Sequence, residues 1–125
     1  MWVFTPEGFI SAVDNKAKSG LITVRARDRQ SLGTLAEMAD TKIEFTPGRD
    51  YQYRVYVSKE MFQDYMRILV DSINYPNFKD ELYATRGKTF ARAAGQVWGV
   101  MCDVADDEYK DWLEDQMASS RQKTR

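Results

Sequence analysis

Two residue periods alternate between positions 21 and 74, and this alternation constrains the fold more than any other feature of the chain. Ile22, Val24 and Ala26 recur at every second position, so they share one face of a strand while Thr23, Arg25 and Arg27 share the other. Leu32, Leu35, Ala36 and Ala39 then recur at helical spacing, with Asp28 or Ser31 available as the cap. Gly33 weakens that short helix by up to ~1 kcal/mol, so it needs the sheet beneath it. Ile43 and Phe45 mark a second strand, and Pro47 with Gly48 forms a type II turn pair. Residues 51–57 return as a third strand, with Tyr53, Val55 and Val57 inward and Gln52, Arg54 and Tyr56 outward. Ser58 caps a helix expected to reach position 74, and Phe62, Tyr65, Met66, Leu69 and Ile73 form its apolar stripe. The order is strand, helix, strand, strand, helix.

Upstream, Trp2, Val3 and Phe4 begin a strand, and residues 5–8 read as a turn with Pro6 at its second corner. Residues 8–14 form a further strand that should pair with 22–28 as an antiparallel hairpin. In a ferredoxin-like sheet of order βαββαβ the last strand lies beside the first. Here no strand follows the long helix, and the leading strand at 8–14 can take that place. The expected fold class is therefore α+β, a circularly permuted ferredoxin-like sandwich (ββαββα) with a C-terminal helical extension.

In this scheme residues 1–78 form the sandwich core, 79–118 a helical extension of the same domain, and 119–125 a disordered tail. Pro76 stops the long helix, because it disfavours helix in the residue before it and donates no amide hydrogen bond. Gly87 reads as a hinge, followed by a helix at 89–104 with Phe90, Ala94, Val97, Trp98 and Met101 along one side. A separate acidic helix is expected from Asp106, with Tyr109, Trp112, Leu113 and Met117 as its apolar side.

Composition then narrows the function classes. With 125 residues, 43% of them hydrophobic and 30% charged, the chain supports one core and not two. A formal charge of −1 supplies no long-range attraction to duplex DNA, so any contact with nucleic acid must be local. Histidine is absent, which removes the familiar zinc sites and histidine-based catalytic dyads; carboxylate-only magnesium or calcium sites stay open. No cofactor and no metal are expected. The single cysteine, Cys102, lies on an apolar helical stretch and reads as a buried structural thiol. No apolar run approaches the ~20 residues of a bilayer span, and no signal-peptide pattern opens the sequence. The expectation is a cytoplasmic protein with no membrane partner.

The stretches Met-Trp-Val-Phe-Thr-x-x-Gly-Phe-x-Ser-x-Val at the start, Asp-Tyr-x-Tyr-Arg from Asp50 and Tyr-x-Asn-Phe-Lys-Asp from Tyr75 resemble a family of small uncharacterised proteins of bacteria and bacteriophages. The resemblance covers residues 1–104 and implies host cytoplasm if phage-encoded. It carries no activity.

Two surfaces are candidates for function. Arg25, Arg27, Arg54 and Tyr56 share the outward phase of two strands that should be neighbours, and guanidiniums beside an aromatic ring suit phosphate contact and base stacking. Asp80 or Glu81 could instead fold over these arginines and neutralise them. Tyr109 and Trp112, on the acidic helix, suit a protein interface, where aromatic residues act as anchors. An enzyme is the weaker reading: Asp14, Asp28, Glu44 and Asp50 are scattered, and neither a phosphate loop nor a dinucleotide fingerprint is present. The leading expectation is a non-enzymatic binding or regulatory protein acting on a protein partner. A binder of an anionic ligand, nucleotide or single-stranded nucleic acid, is the alternative; an enzyme using Asp/Glu and Arg comes third. A homo-oligomer is compatible with all three.

Overall fold

A computed structural model describes residues 1–124. Five strands, β1 (Trp2–Thr5), β2 (Gly8–Asp14), β3 (Leu21–Ala26), β4 (Glu44–Phe45) and β5 (Tyr53–Ser58), form one sheet in the order β1-β2-β3-β5-β4. Every neighbouring pair is antiparallel. The hairpin expected between residues 8–14 and 22–28 is present, with Ala12 opposite Val24 and Asp14 opposite Ile22. Thr5 pairs with Gly8, which leaves Pro6 and Glu7 as a two-residue connection, and the Glu7 amide donates to Thr5 Oγ1 at 3.1 Å.

Alternation assigns the faces as the pattern requires. Ile10, Ala12, Val24, Ala26, Val55 and Val57 point to one side and meet Leu32, Leu35, Ala36, Phe62 and Tyr65 from the helices. Leu32 ends a 3-10 turn, Gln30–Leu32, that feeds α1 (Gly33–Met38); Phe62 and Tyr65 belong to α2 (Lys59–Asp71). Both helices thus lie on one face of the sheet. Full burial of a leucine such as Leu32 or Leu35 contributes ~1.5 to 3 kcal/mol. Glu7 adds a polar tie across the layer, accepting from Thr34 Oγ1 on α1 and from the Tyr65 hydroxyl at 3.4 Å. Burial, and then the Glu7 charge, push the Tyr65 hydroxyl far above the ordinary tyrosine value, so it remains a donor.

The Ser58 hydroxyl caps α2 as expected, accepting from the Met61 amide at 3.1 Å. The helix stops at Asp71, short of position 74, and the Ser72 hydroxyl donates back to the Leu69 carbonyl at 2.8 Å. Ile73 therefore falls off the stripe and is exposed, while Met66 and Leu69 are half-buried. Asn77 caps α3 (Phe78–Arg86), and Gly87, at φ +86°, breaks the chain before α4 (Lys88–Lys123). A side chain at this positive φ would be strained, which suits glycine to the joint.

Three expectations about the C-terminal part are corrected. The helix at 89–104 and the acidic helix are one continuous helix, because residues 104–108 contain neither glycine nor proline to interrupt it. The segment from Ser119, read as a frayed tail, continues that helix to Lys123: Ser120 Oγ donates to the Gln116 carbonyl at 3.0 Å, and Arg121 and Lys123 suit the negative end of the helix dipole. Cys102 is half-buried and not a core thiol, because it lies beyond the turn at Ala91 where α4 buries a side chain.

Candidate functional site

The sheet face opposite α1 and α2 is polar. Across four strands one row runs Ser11, Arg25, Arg54 and Glu44, each opposite the next in register. Thr23 and Tyr56 form the neighbouring pair. Arg27 follows the end of β3 and keeps the same side, with its guanidinium 5.9 Å from the Phe9 ring centre. The structure thus brings Arg25, Arg27, Arg54 and Tyr56 to one face.

That patch is divided by a residue the sequence reading does not single out. Tyr51 is only 4% exposed, and the guanidiniums of Arg25 and Arg27 lie 4.5 and 4.6 Å from its ring centre. Arg25 Nη2 also donates to Ser11 Oγ at 2.8 Å. Period two would have grouped Tyr51 with Tyr53 on the core side, but β5 begins only at Tyr53. Residues 51 and 52 belong to the preceding loop, held by Thr46, whose amide donates to the Gln52 carbonyl at 2.6 Å. Two of the three predicted arginines are accordingly engaged within the fold.

Arg54 and Tyr56 are placed differently. With Thr23, Lys16, Lys18 and Asp14 they line a shallow cleft of about 440 Å³ at the β2–β3 end of the face. Burial, and then the Glu44 carboxylate, raise the Tyr56 hydroxyl above the ordinary tyrosine value and keep it protonated. Lys16 and Lys18 carried no signal in sequence, because they lie in a polar loop whose position depends on closure of the hairpin. Among the described residues the ion pairs are Arg67 with Asp64 at 3.7 Å and Arg86 with Asp28, so Asp80 and Glu81 do not neutralise the patch. The Nε groups of Arg25 and Arg54 are buried with no hydrogen-bond partner. Among the described residues no three side chains of metal-ligating type come together.

The second surface is α4. Ala91 is its one buried residue, whereas Val97, Trp98, Val100, Met101, Val104, Tyr109, Trp112, Leu113 and Met117 are all exposed. Tyr109 and Trp112 stack on each other with centroids 5.7 Å apart and planes at 16°, and both remain more than half exposed. Seven carboxylates against one lysine between positions 103 and 117 surround these side chains with negative charge. Among the described residues no helix is long and apolar enough to cross a membrane.

A polar latch fixes where α4 departs. Arg86, at the end of α3, donates to the Asp28 carboxylate and to the Glu7 carbonyl, lies over the Phe90 ring at 4.3 Å, and has a side chain only 10% exposed. Asp28 also accepts from the Ser31 amide at 3.2 Å and from the Ser31 hydroxyl. Burial opposes ionisation of Asp28, but the hydrogen bonds and charge of Arg86 together with those from Ser31 outweigh it, and its pKa lies below the ordinary carboxylate value. Beside the latch, Phe4 and Phe9 stack at 4.7 Å and face Phe90, Ala94 and Val97 across a groove of about 330 Å³. The base of α4 therefore meets the polar face only on its β1–β2 side and leaves the Arg54 cleft open.

No protein-family model, curated protein or solved structure matches the chain.

Proposed function

We propose that this protein is a non-enzymatic binding module that docks on a protein partner through α4. The observation that carries the reading is the exposed apolar surface between Val97 and Met117, nine large side chains in water on a helix whose single buried residue is Ala91. An apolar surface of this size on a monomer is a binding surface or a liability. The surrounding carboxylates select the occupant by charge: a basic, apolar helical segment complements the surface, whereas a second copy would bring its own acidic turns against these in either orientation.

We further read the scaffold as a permuted ferredoxin-like sandwich. The order β2-β3-β5-β4, with α1 and α2 on one face, supports that reading, and β1 is then an added edge strand. We read the protein as cytoplasmic, in the host cytoplasm if it is phage-encoded.

The test uses the full chain with two synthetic amphipathic helices of equal hydrophobicity, one lysine-rich and one glutamate-rich. Binding is followed by tryptophan emission and calorimetry at two salt concentrations. The lysine-rich helix should bind, more weakly at high salt, and Trp112→Ala should weaken it at least tenfold. Equal binding of both peptides, or a stable dimer in sedimentation that shields Trp112, would overturn the basic-partner reading.

A further inference from the structure

We propose that the cleft between the β2–β3 loop and β5 is a binding site for a nucleotide, with the phosphate held by Lys16, Lys18 and Arg54 and the base stacked on Tyr56. Three cations converge on this cleft of about 440 Å³ against one carboxylate at its rim, Asp14. Glu44, next to Tyr56, lies on the far side, toward β4, and reduces the positive surplus without removing it. The surplus is local, since the chain as a whole is slightly acidic.

The loop is ordered in advance of any ligand. Asn15 Oδ1 accepts from the amides of Ala17 at 3.0 Å and Lys18 at 3.2 Å, and the Asn15 and Leu21 backbones close the loop at 3.0 Å. The two lysines are therefore presented from a fixed backbone, which lowers the entropy lost on binding. Arg54 is the cation of the sheet left over: Arg25 faces it in register on one side, Glu44 on the other forms no ion pair with it among the described residues, and its buried Nε has no hydrogen-bond partner. An anion would answer like charges gathered on a sheet, which destabilise one another when nothing opposes them. Tyr56 is 40% exposed on the same wall and offers a ring face to a base, while its protonated hydroxyl remains a donor. Asp14 accepts hydrogen bonds where a sugar or base donates them.

Phosphate and base together could come from a free mononucleotide or from the end of a single strand, and the experiment separates the two. The full chain is titrated with inorganic phosphate, AMP, ADP and a 5′-phosphorylated eight-nucleotide oligothymidylate, at 50 and 300 mM salt. The expected result is salt-sensitive binding of nucleotides, tighter than inorganic phosphate. Lys16→Gln with Lys18→Gln should weaken it tenfold or more, and Tyr56→Ala should weaken nucleotides but not phosphate. Tightening from AMP to the oligonucleotide assigns a strand; equal affinity assigns a mononucleotide. Because both lysines are exposed loop residues, the double variant should melt with the wild type, so lost binding is not lost folding. Absence of salt-sensitive binding to every probe would overturn the site, and phosphate binding as tight as AMP with no effect of Tyr56→Ala would overturn its nucleotide character.

Discussion

Arg25 on β3 and Arg54 on β5 stand directly opposite each other in the sheet, yet only Arg25 makes a side-chain hydrogen bond and a cation–π contact, to Ser11 and to the ring of Tyr51. The pair is therefore asymmetric in energy. Arg54→Gln removes a like charge facing Arg25 and an opposite charge facing Glu44, contributions of opposite sign and about 0.2 to 1 kcal/mol each, so stability should change little. Arg25→Gln gives up a hydrogen bond and a cation–π contact and should cost about 1 to 2 kcal/mol. Urea midpoints of the two variants check this. Equal shifts would mean that Tyr51 does not discriminate between the two guanidiniums.

The Arg86–Asp28 latch makes stability depend on acid. Because folding depresses the Asp28 pKa, its contribution is fully present above the unfolded value of about 4 and is lost as pH falls through the folded value. Asp28→Asn should cost about 1 kcal/mol at pH 7, the low end for a charge-assisted bond because the carboxylate is 37% exposed. Denaturant midpoints of wild type and variant should differ at pH 7 and draw together as the pH falls below the unfolded value.

Gly8 is where the turn between β1 and β2 passes beneath that latch. At φ +144°, a Cβ there would collide with Ser31 Oγ and stand 2.6 Å from Arg86 Nη1 and 3.2 Å from Phe90 Cζ. Gly8→Ala should cost about 2 to 4 kcal/mol through strain and displacement of Arg86. Thermal melting measures the cost. Combining it with Asp28→Asn should give less than the sum, since both act on the same contact.

Removing everything after Val104 should leave the body intact, because residues 105–124 are all exposed. Thermal unfolding should shift by no more than a few degrees, whereas helical circular dichroism drops and binding of the lysine-rich helix is lost. A collapse of the melting transition would instead assign the distal helix to the stability of the fold.

The three central strands of the sheet were legible because each buries one apolar face, with Ile10 and Ala12, Val24 and Ala26, and Val55 and Val57, and a one-residue slip would have exposed these together. Arg25, Arg54 and Tyr56 inherited their shared side from the same constraint. Tyr51, Lys16 and Lys18 were not legible: they sit in loops, where position comes from closure contacts such as those of Thr46 and Asn15 and not from period. The latch escaped for a related reason. Arg86 reaches Asp28 across 58 positions, and no local pattern marks two residues that meet only once α3 has docked. The continuity of α4 escaped because a change from apolar to acidic composition mimics a boundary, although such a change costs a helix only roughly a few tenths of a kcal/mol per like-charge pair and does not end it.

The joint at Gly87 gives α4 the mechanics of a lever. Trp112 lies 24 residues beyond Lys88, about 36 Å along the axis, so a turn of about ten degrees at the joint carries the indole through ~6 Å. The fulcrum is the first turns of α4, where Phe90 and the buried Ala91 sit against the body and Arg86 binds the carbonyl of Glu7. A load placed on the far arm therefore returns as amplified torque on the Arg86–Asp28 contact, and whatever grips Trp112 also pulls on the end of β3.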